Sequence, residues 1–194
     1  MAATNLQNTS DQDLITLTGK GDEEAFQVLY HRYEKRIFQY LISMLGSPTL
    51  TEETMVEVMV AAWKGAGTFR GTSKASTWLF GIAHHKAIDA IRKESTQRQR
   101  SVSLDDAAET VDRSDGPEEK AQQKGLAKLT NLAMQDLSSD HREILHLAFF
   151  EELSYQDISA LLEIPLNTVK TRVFYAKQQL KGQMQGLGFH ETML

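Results

Sequence analysis

Residues 153–181 read LSYQDISALLEIPLNTVKTRVFYAKQQLK, and this stretch predicts how the C-terminal part of the chain folds. Ser154 stands three residues before Asp157, which is the spacing of a capping box that opens a short helix. Pro165 ends that helix, because proline disfavours the helical conformation in the residue before it. Asn167 can cap a second helix, which has no acidic residue up to the end of the stretch. The pattern is a helix, a brief turn and a basic helix.

This pattern is typical of a helix-turn-helix, whose second helix enters the major groove of DNA. Apolar residues at helical spacing are predicted to pack the two helices together: Ile158, Leu161, Leu162, Ile164, Val169 and Val173. The residues left to project elsewhere are Lys170, Thr171, Phe174, Tyr175 and Lys177. The cations of the second helix are Lys170, Arg172, Lys177 and Lys181. An ordinary helical hairpin is the alternative. Such a hairpin does not require a second helix with four cations and no acidic residue, so the motif favours DNA binding.

The rest of the chain is also predicted to be helical. Apolar residues recur at spacings of three and four over residues 22–44, and a second helix is predicted over residues 51–64. The glycines of AGTFRGTSKAS, residues 66–76, predict a loop. Helix resumes near Ser76, and its apolar stripe is predicted at Trp78, Leu79, Ile82, Ala83, Ile88 and Ile91. No segment alternates as a β-strand does.

An acidic stretch separates the two helical parts. Residues 101–119 read SVSLDDAAETVDRSDGPEE, with seven acids, one arginine and a Gly-Pro pair. Too few large apolar residues are present to form a core, so the stretch is predicted to be a linker. The predicted fold class is all-α: two small helical domains joined by an acidic flexible linker, the C-terminal one a helix-turn-helix. The predicted boundaries are 1–100, 101–121 and 122–194.

The charge of the chain is segregated. The formal net charge is -5, yet residues 61–100 carry eight lysines and arginines against only two acids. Charges attract a polyanion only within about a Debye length, roughly 8–10 Å. A basic island in an acidic chain can therefore bind nucleic acid, while the acidic remainder suppresses indiscriminate binding. A solvated helix face that touches nothing is the alternative, and charge alone does not decide between the two.

The sequence lacks the motifs of several functional classes of protein. The chain has no cysteine, which excludes disulfides and thiolate metal sites. No apolar run reaches the roughly 18 residues of a membrane span, and the N-terminus lacks the features of a secretory signal. A soluble, cytoplasmic protein is expected. GAGTFRGTSK lacks the Gly-Lys-Ser/Thr ending of a phosphate-binding loop, and the adjacent histidines lack zinc-site spacing. No catalytic residue, metal or cofactor is therefore predicted.

The order of the segments resembles the extracytoplasmic-function (ECF) group of bacterial sigma factors. The resemblance covers residues 11–182. The segments that carry it are DEEAFQVLYHRYEKRIFQYLISMLG, TEETMVEVMVAAWKGAGTFRGTSKASTWLFGIAHHKAIDAIRK and, after the acidic gap, LSSDHREILHLAFFEELSYQDISALLEIPLNTVKTRVFYAKQQLK. Members of this group hold only the second and fourth conserved sigma regions. The resemblance implies a factor that binds core RNA polymerase and directs transcription initiation at specific promoters, of stress or of envelope, metal or redox response genes.

The resemblance also implies three sets of contact residues. The β and β′ subunits of core polymerase would be bound by Glu52, Glu53, Val56 and Glu57. The minus-ten element, captured as a single strand, would be bound by Phe69, Arg70, Gly71, Thr72, Ser73, Lys74, His85, Lys86, Arg92 and Lys93. The minus-thirty-five element would be bound by Asn167, Thr168, Lys170, Thr171, Arg172, Phe174, Tyr175 and Lys177. Single-strand binding needs cations for phosphates, aromatic rings for stacking and glycines for close backbone approach.

The sequence departs from the family pattern at two places. Val56 stands where the family usually has glutamine, and His84 and His85 stand where it often has asparagine. The family further implies an anti-sigma factor as a partner, and no membrane insertion by this chain. A response-regulator type activator is one alternative, although residues 1–100 lack the strands of a receiver domain. An interaction module without DNA binding is another, and it predicts that Lys170→Ala and Arg172→Ala leave function intact.

Overall fold

The structure, a computed structural model, describes residues 6–101, 130 and 132–187, and no β-strand occurs among them. The N-terminal domain contains α1 (Asp11–Thr18), α2 (Glu23–Leu45), α3 (Pro48–Gly65) and α4 (Ala75–Ser101). The described part of the C-terminal domain contains α5 (Ser139–Leu145), a π-helical continuation (His146–Phe150), α6 (Tyr155–Leu161) and α7 (Leu166–Gly186). The all-α prediction is confirmed. The predicted linker lies outside the described residues except for Ser101, which ends α4.

Helix α2 begins and ends where its sequence predicts. The Asp22 side chain accepts a hydrogen bond from the backbone N–H of Ala25 at 3.0 Å, and Gly46 ends the helix with a left-handed φ of 68°. A β-carbon would be strained in that conformation, which is why glycine suits the position. The buried face of α2 consists of Ala25, Leu29, Tyr33, Ile37, Tyr40, Leu41 and Met44. Their spacing of three and four is the predicted apolar stripe.

Helix α3 is longer than its sequence pattern predicts. It begins at Pro48, three residues before the expected start at Thr51. Proline lacks a backbone N–H, and the first helical position has no partner for one, so Pro48 starts this helix. The Ser47 hydroxyl caps it by accepting from the Leu50 N–H at 3.4 Å.

The buried residues of α4 differ from its predicted apolar stripe. Leu79 and Ala83 are buried as expected, whereas Trp78, Ile82, Ile88 and Ile91 are only half-buried. Phe80 and Ala87 lie outside the predicted stripe, yet both are fully buried. The prediction was wrong here because α4 packs against α2 and α3 on one side and against α6 of the other domain on another.

The helix-turn-helix forms with one correction at its turn. The Ser154 hydroxyl caps α6 by accepting from the Asp157 N–H at 3.1 Å, as predicted. The predicted Asn167 cap of α7 is wrong, because α7 begins at Leu166, directly after Pro165. Proline has its φ preset near the helical value, here -57°, so helix follows it at once. Asn167 lies within the first turn, where its carbonyl accepts from the Thr171 hydroxyl at 2.8 Å.

The contact between α6 and α7 is the predicted one. Ile158 and Val169 are fully buried, and Val173 and Leu161 are nearly so. Leu162 and Ile164 are half-buried against the same cluster. This packing holds the second helix of the motif by its apolar face and leaves the opposite face to solvent.

The two domains pack directly against each other. Helix α2 contacts α5, and α4 contacts α6, so buried apolar side chains of both domains form one cluster. Tyr40 of α2 is fully buried there and donates a hydrogen bond to the Glu143 carboxylate of α5. Burial first, and then the negative charge of Glu143, raise the pKa of Tyr40 well above its ordinary value. Tyr40 is therefore a protonated donor at any physiological pH.

The packing of α1 against the turn at Ala66–Thr68 generates a stability prediction. A β-carbon on Gly19 would lie 2.8 Å from the Cα of Gly67 and 2.9 Å from the carbonyl carbon of Ala66. Because both obstacles are backbone atoms, Gly19→Ala is expected to lower the free energy of unfolding by about 1–3 kcal/mol. Urea denaturation followed by circular dichroism measures this change.

Gly67→Ala is the matched control on the other side of the same contact. Its β-carbon would meet the Gly19 carbonyl oxygen at 3.5 Å, an ordinary van der Waals distance. We expect this variant to unfold at the wild-type urea concentration. Equal stability of the two variants would contradict the packing described above.

Candidate nucleic-acid and polymerase interfaces

The loop between α3 and α4 presents a run of polar residues to solvent. Arg70, Thr72 and Lys74 are exposed, and Gly71 has a left-handed φ of 67° that turns the chain between them. Because glycine adopts this conformation without strain, the backbone can double back in a short space. Two cations thus project from a compact, glycine-containing turn, as the sequence predicts.

The same loop is anchored at both of its ends. The Phe69 ring is half-buried and lies 5.2 Å from the ring of Trp78, and both pack on the N-terminal core. The Ser73 carbonyl accepts a hydrogen bond from the Gln12 side chain at 3.4 Å. Phe69, predicted as part of a base pocket, therefore forms part of the loop's support and is only partly exposed.

Helix α4 carries the remaining residues that the sequence predicts for the minus-ten element. His85 and Arg92 are exposed. The Lys86 and Lys93 ammonium groups lie 3.3 Å and 3.5 Å from the two carboxylate oxygens of Glu57 on α3. The hydrogen bond from Lys86, with the nearby charge of Lys93, holds the pKa of Glu57 below its ordinary value. A predicted polymerase contact and two predicted DNA contacts therefore share one surface.

The outer face of α3 combines acids with exposed valines. Glu52, Glu53 and Glu57 are exposed, and Val56 and Val60 are 64% and 46% exposed. Exposed large apolar side chains that lie together commonly mark a protein-binding surface.

These valines border an apolar groove of about 360 Å³ between α2 and α3. We call it the α2–α3 groove; it is lined by Phe26, Tyr30, Met55, Val56, Met59, Val60 and Trp63. Two of these lining residues, Phe26 and Trp63, contact each other edge to face, with their ring centres 5.2 Å apart, and this contact stabilises the lining of the groove. This groove was not predicted from the sequence, although two valines one helical turn apart among acids, Val56 and Val60, are a signal for it.

The second helix of the C-terminal motif exposes the residues that the sequence predicts. Lys170, Thr171, Phe174, Tyr175 and Lys177 all project to solvent. Phe174 and Tyr175 are 56% and 53% exposed, unusual values for aromatic side chains in a folded domain. Asn167 is exposed and Thr168 half-buried at the start of the helix.

Two cations of α7 have partners within the domain. The Arg172 guanidinium lies 3.0 Å from the Asp140 carboxylate, and this ion pair orients the Arg172 side chain. The Lys177 ammonium lies 4.5 Å from the centre of the Phe149 ring, within the range of a cation–π contact. These contacts orient the two side chains along the exposed face.

Within residues 6–101, 130 and 132–187, no group of three or more histidines and acids is arranged to hold a metal ion. None of the helices described there is both long and apolar enough to cross a membrane.

Comparisons with known proteins match both halves of the chain. Residues 29–97 match the family Sigma-70 region 2, and residues 130–180 match Sigma-70, region 4. The ECF RNA polymerase sigma factor SigX of Bacillus subtilis is 32% identical over 165 residues, covering 84% of this chain and 85% of SigX. The RNA polymerase sigma-H factor of Pseudomonas aeruginosa is 27% identical over 191 residues, covering 94% of this chain and 97% of the relative.

A solved structure has the same fold. The sigma factor RpoE in complex with the anti-sigma factor NepR, from Bartonella quintana, superposes with a TM-score of 0.68 at 21% identity, covering 82% of this chain and 96% of that one. The two sigma regions occur in the order that the sequence predicts, and these matches give no support to the response-regulator alternative. The chain belongs to the extracytoplasmic-function group of bacterial RNA polymerase sigma factors.

Proposed function

We propose that this sigma factor binds core RNA polymerase through α3 and reads two promoter elements, one with each domain. The observation that carries the proposal is the exposed, acid-free face of α7, which is held from behind by the packed helix-turn-helix. A buried apolar face and a basic outer face are what a helix in the major groove requires. No catalytic step is part of this function. We place it in the cytoplasm, where polymerase and promoter DNA are found.

Core polymerase docks on the acidic face of α3 and in the α2–α3 groove. Glu52, Glu53 and Glu57 favour a partner surface that carries cations, and they repel DNA. The groove accepts apolar side chains of a partner helix, a common mode of helix recognition. Val56, where the family usually has glutamine, adds apolar area at the rim. The β and β′ subunits are the proposed partners.

The minus-ten element binds across the α3–α4 loop and the basic side of α4 as a single strand. Arg70 and Lys74 supply positive charge in the loop, and the partly exposed Phe69 ring offers a stacking surface. Lys86 and Lys93 contact phosphates, which requires them to exchange their ion pairs with Glu57. Because those pairs are solvent-accessible, the exchange costs little free energy.

The minus-thirty-five element binds α7 as duplex DNA. Lys170, Thr171 and Phe174 face base edges, where Phe174 offers an apolar surface to thymine methyl groups. Arg172 and Lys177 contact phosphates and position the helix. The Asp140 carboxylate holds the Arg172 guanidinium in place before DNA arrives.

An anti-sigma factor is the proposed negative regulator of this chain. A protein of the same fold, RpoE, has been solved with the anti-sigma factor NepR, which supports the proposal. The α2–α3 groove is one surface on which such a partner would compete with polymerase.

Run-off transcription tests the whole proposal. Core RNA polymerase is incubated with fragmented genomic DNA of the source organism, with and without this protein. We expect new transcripts whose start sites share two upstream elements. Absence of new transcripts together with absence of core binding would overturn the proposal.

Lys170→Ala tests how the C-terminal domain reads DNA. We expect about a tenfold loss of affinity for a minus-thirty-five duplex, since one base contact contributes about 1–3 kcal/mol. Fluorescence anisotropy with a labelled duplex measures it, and affinity for core polymerase should not change.

The control for this variant is Gln183→Ala, an exposed position on the same helix, about three and a half turns nearer its C-terminal end. We expect wild-type DNA affinity for it. If Lys170→Ala also bound the duplex normally, the interaction module without DNA binding would be the better interpretation.

Val60→Asp tests the α2–α3 groove. An aspartate at its rim leaves a charge against apolar side chains, so affinity for core polymerase should fall by at least about tenfold. Microscale thermophoresis with labelled protein measures this affinity, and minus-thirty-five duplex binding reports that the C-terminal domain is intact.

Leu187→Asp makes the same kind of change at another exposed apolar residue, after the end of α7. It should leave core affinity at the wild-type value. An equal loss in both variants, or none in either, would exclude the groove as a specific docking surface.

A further inference from the structure

An exposed phenylalanine lies beside the outer face of α7. Phe149 belongs to the π-helical continuation of α5 and is 49% exposed. The centre of its ring lies 4.5 Å from the Lys177 ammonium of α7. Neither the proposed polymerase surface nor the proposed promoter contacts include Phe149.

The π-helical turn explains why this ring faces outward. Phe149 follows the buried Leu145 by four residues, and in an α-helix this spacing would place both side chains on the same face. The chain instead makes a wider turn, in which the Glu151 N–H donates to the His146 carbonyl, five residues back, at 3.2 Å. This turn directs Phe149 away from the core and towards α7. Single π-helical turns are often found at functional sites.

Lys177 lies at the edge of the outer face of α7. Lys170, Phe174 and Lys177 are exposed and follow one another at spacings of four and three, so they form one row along that face. The next residue back, Ala176, belongs to the buried face of the helix. Phe149 therefore contacts this row at Lys177.

An aromatic ring orients a lysine without cancelling its charge. The face of the ring attracts the ammonium through its quadrupole, yet the ring carries no net charge. Asp140 orients Arg172 differently, because a carboxylate at 3.0 Å offsets part of the positive charge that a phosphate would meet. In the part of the chain that the structure describes, no carboxylate lies within 4 Å of the Lys177 ammonium. Lys177 thus keeps its positive charge while the ring restricts its position.

Holding the ammonium in advance favours its contact with DNA. Lysine has a flexible four-carbon stem, and ordering such a side chain on binding costs free energy. A lysine that is already held at the outer face loses less freedom when a phosphate arrives. The ammonium has three N–H donors, so those turned away from the ring stay available to phosphate oxygens.

We propose that Phe149 is a positioning residue for the minus-thirty-five element: its ring holds the Lys177 ammonium at the edge of the outer face of α7, where it binds a DNA phosphate. The proposal rests on the function proposed above, in which Lys177 contacts a phosphate. Because Phe149 acts through Lys177, replacing the ring should weaken DNA binding only while the lysine is present.

The contact between the ring and the lysine is tested first in the free full chain. The ring current of Phe149 should shift the ε-methylene protons of Lys177 upfield of those of the other lysines, which nuclear magnetic resonance measures. Lys177→Arg removes this signal and thereby assigns it. Phe149→Leu keeps an apolar side chain without a ring and should return the signal to the position of an exposed lysine. A wild-type signal already at that position would overturn the proposal.

Duplex binding tests the consequence for DNA. The probe is a labelled duplex that carries the upstream element found by run-off transcription. We expect Phe149→Leu to bind it about two- to fivefold more weakly than wild type in fluorescence anisotropy, the effect of one exposed cation–π contact. Phe149→Tyr keeps the ring and should restore wild-type affinity. Phe150→Leu makes the same change at a 52% exposed ring that stacks on His146 instead, and it should bind as wild type does.

A double-mutant cycle separates positioning from a structural role. In a chain that carries Lys177→Gln, adding Phe149→Leu should cause no further loss of duplex affinity, because the side chain that the ring holds is gone. A purely structural role of Phe149 would give the same loss in both backgrounds. Phe149→Met, which also lacks a ring, replaces Phe149→Leu if circular dichroism shows that the latter is unfolded.

Two results would overturn the positioning role: equal losses in the two backgrounds, or wild-type duplex affinity without the ring. Failure of the wild-type chain to bind the duplex, while the ring-current shift is present, would instead overturn the proposed function. The two failures are distinguishable because the shift is measured without DNA.

Discussion

Burial of the apolar stripe of α2 is the constraint on which the rest of the structure depends. Helices α1, α3, α4 and α5 all pack against α2, so one helix organises the N-terminal domain and also receives the C-terminal one. Tyr40 joins these roles, because its ring meets Phe80 and His146 at 5.5 Å while its hydroxyl donates to Glu143. A buried tyrosine hydroxyl requires an acceptor. That requirement links the core of one domain to a carboxylate of the other.

The positions of the charged residues, and not the net charge of the chain, decide which surfaces of this protein are positive. The formal net charge is -5, yet the outer face of α7 carries no acid, and Glu57 of α3 pairs with Lys86 and Lys93 on the basic side of α4. Short-range ion pairs orient some of these cations, whereas others project into solvent. Arg172 is oriented by Asp140, while Lys170 projects from the same helix with its neighbour Thr171. A polyanion that approaches α7 therefore meets a locally positive surface on an acidic protein.

Local signals predicted the helix boundaries well, and their failures have local explanations. Ser154 caps α6 as predicted, and Asp22 and Gly46 cap α2 at the two ends of its predicted apolar stripe, because caps depend on hydrogen bonds within four residues. Pro165 was predicted only as the end of α6, but it also lies directly before the first residue of α7. Phe80 and Ala87 were missed because a stripe read from one helix assumes one packing partner, and α4 has partners on two sides.

The sequence by itself determined the helical fold, the helix-turn-helix, the family and the outward projection of Lys170, Thr171 and Phe174 from α7. These follow from periodicity, caps and motif spacing, all of which act over a few neighbouring residues. Only the tertiary structure decided that Val56 and Val60 border a groove and that Glu57 pairs with Lys86 and Lys93. It also decided that Glu143 and Glu151 are buried against the other domain. Such contacts join residues 29 to 115 positions apart, and no local pattern specifies which distant charge or ring will be opposite.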